Sequence, residues 1–412
     1  MKIAFFPGAF LPQIGGAEII AHNLAKGLSL LGYDITVFVH SQNSLELKKK
    51  FPHDFPYRII SLLPKSVGLS KKFREAGIKW GGYLDWQIKY YQKKYRFDLW
   101  HFSSISYQAF FCMKILEKLN IPVLGTCHGA DIQIMNEVDY GLRRNRLFNE
   151  LFTASINRFD MLTAISDTIW GEYRKLGICD SGVRKIGNGI DFERISSFKC
   201  FKEDIFNRFE IEGSKKIILT VGRNHPKKGF LLIPDIIRNL LAFRKDFLWI
   251  VVGKGNENLA EIVKKAGNEQ FLKVIGETGK HSAEEKYLQF PSEDLLSFYK
   301  VSDVFVFPTI LESFGVVLIE AMAAGVPVVT TDAPGPDEMI TDKLTGLKST
   351  AGDASKMACN INLLLSDQSL SKNICLAAYN KAACFSWPKI INKYVSVYKE
   401  IVAMKYCKIN KK

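Results

Sequence analysis

In the stretch TILESFGVVLIEAMAAGVPVV, Thr309 to Val329, the carboxylates Glu312 and Glu320 stand eight positions apart in an otherwise apolar run. Phe314, Val317, Leu318, Ala321 and Met322 recur at helical spacing. Val316, Ile319 and Ala323 make the opposite face apolar as well, so the pattern predicts a helix buried all round. Glu320 then sits two turns inside that helix. An unpartnered carboxylate there costs on the order of several kcal/mol or takes up a proton. Glu312 stands before the helix, at the carboxyl end of the strand Asp303 to Phe307, where open α/β sheets bind ligands. If the segment were helical throughout, the two would lie roughly 12 Å apart. A paired acid and nucleophile needs a separation of about 5 Å, so that chemistry is excluded. Two readings remain. The glutamates grip two ends of one extended ligand, with the backbone N–H groups of Phe314, Gly315 and Val316 receiving a phosphate where the helix opens. Gly315 has no side chain to block that approach. Alternatively, they belong to structural ion pairs with Arg or Lys.

Three further stretches carry chemistry. VGRNHPKKGF ends a strand and leads into a helix, so Arg223 and Lys228 project from the top of a sheet. A guanidinium fork and an ammonium point charge together neutralise a diphosphate; a plain basic surface loop is the other reading. TCHGADI sets His128 at the carboxyl end of a strand, either as a ligand contact or as a structural histidine. In GGAE, Gly15 and Gly16 join a first strand to its helix, as an anion-admitting turn or simply a tight one. GxGxxG with its following acidic residue is missing, which disfavours a dinucleotide site. GxxxxGK[ST], a DxD pair and His/Cys clusters at metal-ligand spacing are missing too.

The elements that position these residues alternate between strand and helix in two successive series. The first begins with KIAFF, a helix from Ala17 to Leu31 and the strand DITVFV. It continues through DLWHFS, PVLGTCH and MLTAIS and closes at Val183 to Ile195. The second restarts at Lys215 to Arg223 after a connector, Phe198 to Phe209, read as irregular or helical. It runs on through a helix from Leu231 to Phe243, FLWIVVGKG and the glutamate unit. An amphipathic helix opened by Ser386 and Pro388 ends the chain. The fold class is therefore α/β.

At 412 residues the chain is long enough for two or three domains with sizeable cores. Eight scattered cysteines without CxxC read as reduced thiols of a cytoplasmic protein. No apolar run reaches membrane-spanning length, and MKIAFFPGAF reads as a first strand rather than a signal peptide. The net charge of +14 is concentrated. Residues 42–97 carry 13 Lys/Arg against 4 Asp/Glu, interleaved with Trp80, Trp86, Tyr90, Tyr91 and Tyr95. That composition suits an anionic membrane surface, and also nucleic acid or an acidic glycan. A solvated face over ordinary core aromatics is the alternative.

GGAE, HG.D, AIS, GNGID, VGR....KG, VVGKG and ESFGVVLIEAMAAGVPVV occur in that order over essentially the whole chain. The set strongly resembles the retaining nucleotide-sugar glycosyltransferases of the group 1, family 4 type. The resemblance implies a GT-B fold: two Rossmann-like domains facing across a central cleft. It divides the chain into 1–193 on the acceptor side, 194–386 binding the donor, and 387–412 as a helix and basic tail returning to the first domain. By motif matching, Arg223 and Lys228 hold the donor diphosphate. Ser313, Phe314, Gly315 and Val316 cradle phosphates and sugar, and Glu320 accepts from the ribose hydroxyls. Glu312 and His128 contact the sugar, Gly15 and Gly16 let the first domain approach the diphosphate, and Glu338 falls where the family often has Pro-Glu. The implied reaction needs no metal and no cofactor beyond the nucleotide-sugar co-substrate. Its acceptor is a glycan or a lipid-linked acceptor in the synthesis of a cell-surface polysaccharide, lipopolysaccharide or glycolipid, at the inner face of the cytoplasmic membrane. Nucleic acid is not an expected partner. One departure stands out: an insertion, 278–290, lies where the family holds the nucleobase and brings Lys280 and His281 toward it. A nucleotide-sugar epimerase or hydrolase and a non-catalytic sugar-nucleotide-binding subunit are the rival readings.

Overall fold

The computed structural model describes residues 1–40, 46–47, 55–62, 80–213, 215–278 and 288–409. The chain divides into two compact units: Met1–Asn188 with Glu285–Leu288 and Trp387–Lys412, and Gly189–Glu284 with Gln289–Ser386.

The first unit is built on a seven-stranded parallel sheet. Its strands are β1 (Lys2–Pro7), β2 (Asp34–His40), β3 (Arg58–Leu62), β4 (Leu99–Ser103), β5 (Val123–Cys127), β6 (Met161–Ala164) and β7 (Val183–Lys185). They lie in the order β3-β2-β1-β4-β5-β6-β7. Every residue of β4 and β5 is buried, as a strand covered by helices on both faces must be. The second unit has six parallel strands: β8 (Lys216–Val221), β9 (Phe247–Val252), β10 (Leu272–Ile275), β11 (Val304–Phe307), β12 (Val328–Thr331) and β13 (Leu347–Ser349). Their order, β10-β9-β8-β11-β12-β13, repeats the same plan. In each sheet the winding reverses once, between β1 and β4 and between β8 and β11. Chains leaving the two strands at such a point run to opposite faces and open a crevice at their carboxyl ends.

Five helices matter here: α1 (Gly16–Leu30), α2 (Trp80–Tyr95), α3 (Glu293–Val301), α4 (Val316–Ala323) and α5 (Trp387–Ile409). Helix α5 packs on α1 and β5. It is held there by the 2.8 Å contact between Tyr398 Oη and His101 Nδ1 and by Lys405 Nζ donating to Asp160 at 2.9 Å. The connector expected at Phe198 to Phe209 contains a helix, Lys202–Arg208. The helix expected from Leu231 to Phe243 is shorter, Ile233–Leu240, behind a 3-10 turn at Phe230–Leu232.

Of the insertion at 278–290, residues 279–287 lie outside the described residues, Lys280 and His281 among them. Leu288, near its distal end, belongs to the first unit. Leu288 is buried there, and its carbonyl lies 3.0 Å from His22 Nε2 and accepts from Lys26 Nζ at 3.3 Å.

Candidate active site

The crevice between β8 and β11 gathers most of the chemistry-bearing residues of the second unit. After β8 the chain forms a 3-10 turn, Pro226–Lys228, whose start is capped by His225 Nδ1 accepting from the Lys227 N–H at 3.2 Å. The Lys227 carbonyl accepts from the backbone of Ile310 at 2.9 Å and from Thr309 Oγ1 at 2.9 Å, so this loop is fastened to the loop after β11. Gly229 makes the approach possible. Its φ is +66°, and a Cβ there would lie 1.9 Å from the Pro308 carbonyl oxygen.

The fastening brings Lys228 to Glu312. Lys228 Nζ donates to Glu312 Oε2 and lies 4.8 Å from the centre of the Phe307 ring. Lys227 Nζ is 3.9 Å from Glu312 Oε1, which also accepts from the Ser313 N–H at 3.0 Å. Burial pushes the Glu312 carboxyl up, but Lys228 and Lys227 outweigh it and hold the group at about 2. Burial pulls the Lys228 ammonium below its ordinary value, against the opposing pull of Glu312; Lys227 and Arg223 lower it further. Burial and the same three cations lower the His225 pKa, against the pull of Glu312. Arg223 is exposed and makes no ion pair among the described residues. Two lysines thus hold one largely buried carboxylate, and the exposed Arg223 adds a third positive charge close enough to act on Lys228. The surplus charge is what an anionic ligand would neutralise.

The helix expected after Glu312 begins two residues later than the proposed phosphate-receiving stretch. α4 opens at Val316, with Gly315 as its N-cap at φ +90° and no side chain capping the first turn. Val316 and Val317 are half-buried and the remainder of the helix is buried, so only its amino end comes near solvent. Phe314 is buried, its ring set edge-on to Phe385 at 5.6 Å, so only its backbone can serve a ligand.

Glu312 and Glu320 resolve differently. The ion-pair reading describes Glu312. Glu320 has no ion-pair partner among the described residues and instead accepts from Tyr299 Oη, on α3, at 2.9 Å. Burial raises its pKa to about 7, against the smaller lowering effect of the Tyr299 hydrogen bond.

In the first unit, His128 follows β5, half-buried, with Nε2 3.0 Å from Ser103 Oγ. Burial lowers its pKa, against the pull of Asp131. Asp131, from the same HG.D stretch, accepts from the N–H groups of His128, Gly129 and Ile105 and so shapes the loop. Gly15 is the buried N-cap of α1, and Gly16 is its exposed first residue. A Cβ on Gly16 would meet nothing within 4 Å, so packing does not demand glycine there. Glu338 lies in a short helix, Pro336–Met339.

Within the second unit the structure groups Arg223, Lys228, Glu312 and Ser313, with Glu320 on the adjoining helix. Two members of the group were not picked out in the sequence. Lys227 stands beside Lys228, and adjacency alone does not tell which of two lysines turns inward. Tyr299 lies 21 positions before Glu320 on a different helix, where no local pattern links them.

Two family models match the chain: Glycosyl transferases group 1 over residues 201–381 and Glycosyltransferase Family 4 over residues 14–194. Together they span most of the sequence, and the chain belongs to this family of glycosyltransferases. It is 24% identical to the N-acetyl-alpha-D-glucosaminyl L-malate synthase of Bacillus anthracis over 409 residues, 95% of each chain. A glycosyltransferase from Rickettsia africae superposes with a TM-score of 0.77 at 20% identity, over 97% of this chain and 98% of the other. Anabaena Alr3699/HepE, solved in complex with UDP, superposes with a TM-score of 0.74 at 20% identity, over 97% and 100%. The fold is that of the GT-B glycosyltransferases.

Proposed function

We propose that this glycosyltransferase moves a sugar from a nucleoside-diphosphate sugar, with retention of anomeric configuration and without a metal, to a glycan or lipid-linked acceptor in cell-surface polysaccharide, lipopolysaccharide or glycolipid synthesis. The observation that carries the reading is the surplus of positive charge at the switch point of the second sheet, where Lys227 and Lys228 hold the single carboxylate of Glu312 and Arg223 acts on Lys228 from beside them. Negative charge develops on the diphosphate as the glycosidic bond breaks. Fixed cations stabilise that charge without reorganising at the moment of reaction. Lys228 is already held between Glu312 and the Phe307 ring, which suits the task. Arg223 brings a planar fork for the outer phosphate oxygens. The uncapped start of α4 receives the phosphates, and Glu320 accepts from the ribose. Glu312 keeps lone pairs for a sugar hydroxyl beyond the bonds it makes to Lys228 and Ser313. The family resemblance assigns Gly16 and His128 to the donor as well. The UDP complex of the Anabaena relative supports a nucleotide donor.

A thermal-shift screen against a panel of nucleotide sugars tests the donor assignment, because a tight ligand raises apparent stability by mass action. One nucleotide sugar is expected to stabilise the protein well above the rest. Transfer should persist in EDTA, and NMR of the product should show the donor's anomeric configuration. A panel without any stabilising member removes the donor reading; inversion, or loss of transfer in EDTA, removes the finer claims.

A further inference from the structure

We infer that Asn256, with Asn224, is a positioning residue that fixes the backbone from which Arg223 reaches its ligand. The inference rests on the proposed role of Arg223 at the donor diphosphate. Arg223 is exposed, and a long side chain rooted in a loose loop would aim its guanidinium poorly. The loop is not loose. Asn256 is fully buried, and its single Nδ2 group donates to two carbonyls, Gly222 at 3.0 Å and Gly253 at 2.9 Å. One amide thereby ties the peptide entering Arg223 to the chain leaving β9. On the other side of Arg223, the Asn224 N–H donates to the Lys254 carbonyl at 2.9 Å. The Asn224 Nδ2 group donates to the Gly255 carbonyl at 2.7 Å and to Asn258 Oδ1 at 2.8 Å. The peptides before and after Arg223 are thus held from the same neighbouring loop, and only the guanidinium remains for a ligand.

The chemistry of Asn256 argues that its donors are what matter. Its Oδ1 is buried without a hydrogen-bond partner among the described residues. Burying an unmade acceptor is unfavourable, yet the position holds an amide rather than an apolar side chain. An amide can supply two hydrogens from one atom, which serine, threonine or aspartate at neutral pH cannot.

Kinetics of donor turnover by Asn256→Ala, Asn224→Ala, Arg223→Ala and the two double variants test this. Asn256→Ala is expected to lower kcat/KM by roughly 10²-fold, the scale of an ångström-sized displacement of a catalytic group. The decisive readout is additivity. In the Arg223→Ala background, Asn256→Ala and Asn224→Ala should cost little more, because the group they aim is gone. If each asparagine substitution lowers kcat/KM by the same factor with and without Arg223, the positioning role is overturned while the donor reading stands. If Asn256→Ala and Asn224→Ala leave kcat/KM unchanged, it is overturned likewise. If Arg223→Ala itself leaves turnover unchanged, the donor reading fails and the inference falls with it. Should Asn256→Ala not fold, half-exposed Asn224→Ala carries the same comparison.

Discussion

Glu312 and Lys228 are coupled so tightly that removing either confuses stability with chemistry. Their side chains are 13% and 19% exposed, so the pair is mostly withdrawn from water. Breaking a buried pair by removing one partner costs about 3–5 kcal/mol, because a charge is left behind. Lys227 stands 3.9 Å from the same carboxylate and softens that loss for Lys228→Met. Lys228→Met is expected to lower the melting temperature and to reduce kcat on the order of 10²–10³-fold. Adding Glu312→Gln should recover much of the stability and none of the activity. If the double variant regained transfer, Lys228 would serve only to neutralise Glu312.

Glu320 poses a different problem, a carboxyl whose neutral form the fold prefers. Its pKa is raised from an ordinary 4.5 to about 7. The folded protein therefore holds a proton that the unfolded chain releases. This group's contribution to stability is complete below about 4.5 and is lost as pH rises through about 7. If ribose hydroxyls donate to the ionised form, nucleotide binding releases that proton. Affinity for UDP or the preferred nucleotide should then strengthen as pH rises through 7, and Glu320→Gln should flatten the dependence. Isothermal titration calorimetry in buffers of different ionisation enthalpy measures the proton release directly. Tyr299→Phe removes the bond that favours the anion and should move the transition to higher pH. A pH-independent affinity would mean that Glu320 is a structural carboxyl.

Among elements, α1 offers the cleanest separation of fold from ligand. Gly16 has no neighbour within 4 Å of the place a Cβ would occupy. Gly16→Ala should leave the melting temperature within about a degree of wild type or raise it slightly, since alanine favours helix. Donor KM should nevertheless rise if the helix start approaches the diphosphate. Unchanged kinetics would reduce GGAE to a plain turn. Elements also show what local sequence can reveal. β1, β4, β8, β9 and β11 were legible because central parallel strands are continuous apolar runs. β3 and β13 were not, being short edge strands, RIISL and LKS, in which pairing with one neighbour replaces an apolar pattern. Helix α4 was legible from its periodicity, but its start was read early because Phe314 fits the helical spacing. In the structure Phe314 instead packs on Phe385 from the loop. The Lys228–Glu312 pair joins positions 84 apart, and only the order of the second sheet brings them together. Local reading can nominate each of the two, but not their contact.

For the molecule as a whole, the uneven charge raises the question of where it works. No helix among the described residues is long and apolar enough to cross a membrane. Helix α2 carries a face suited to lying on one. Trp86 and Tyr90 are exposed and stacked at 5.7 Å, and Lys89, Lys93 and Lys94 are exposed around them. Positions 86, 89, 90 and 93 share one helical stripe. On the other side Tyr91 packs against Phe38. Of the basic segment, residues 42–45, 48–54 and 63–79 lie outside the described residues. Aromatic rings settle at the headgroup level and lysines add attraction to anionic lipid. Flotation with phosphatidylglycerol vesicles is expected to carry the protein upward, and neutral vesicles to leave it behind. Raising salt to 1 M shortens the screening length from about 10 Å to about 3 Å and should release it. Trp86→Ala with Tyr90→Ala should weaken flotation at low salt without lowering turnover of a soluble acceptor. Flotation indifferent to lipid charge, or unaltered by those two substitutions, would return α2 to an ordinary solvated helix.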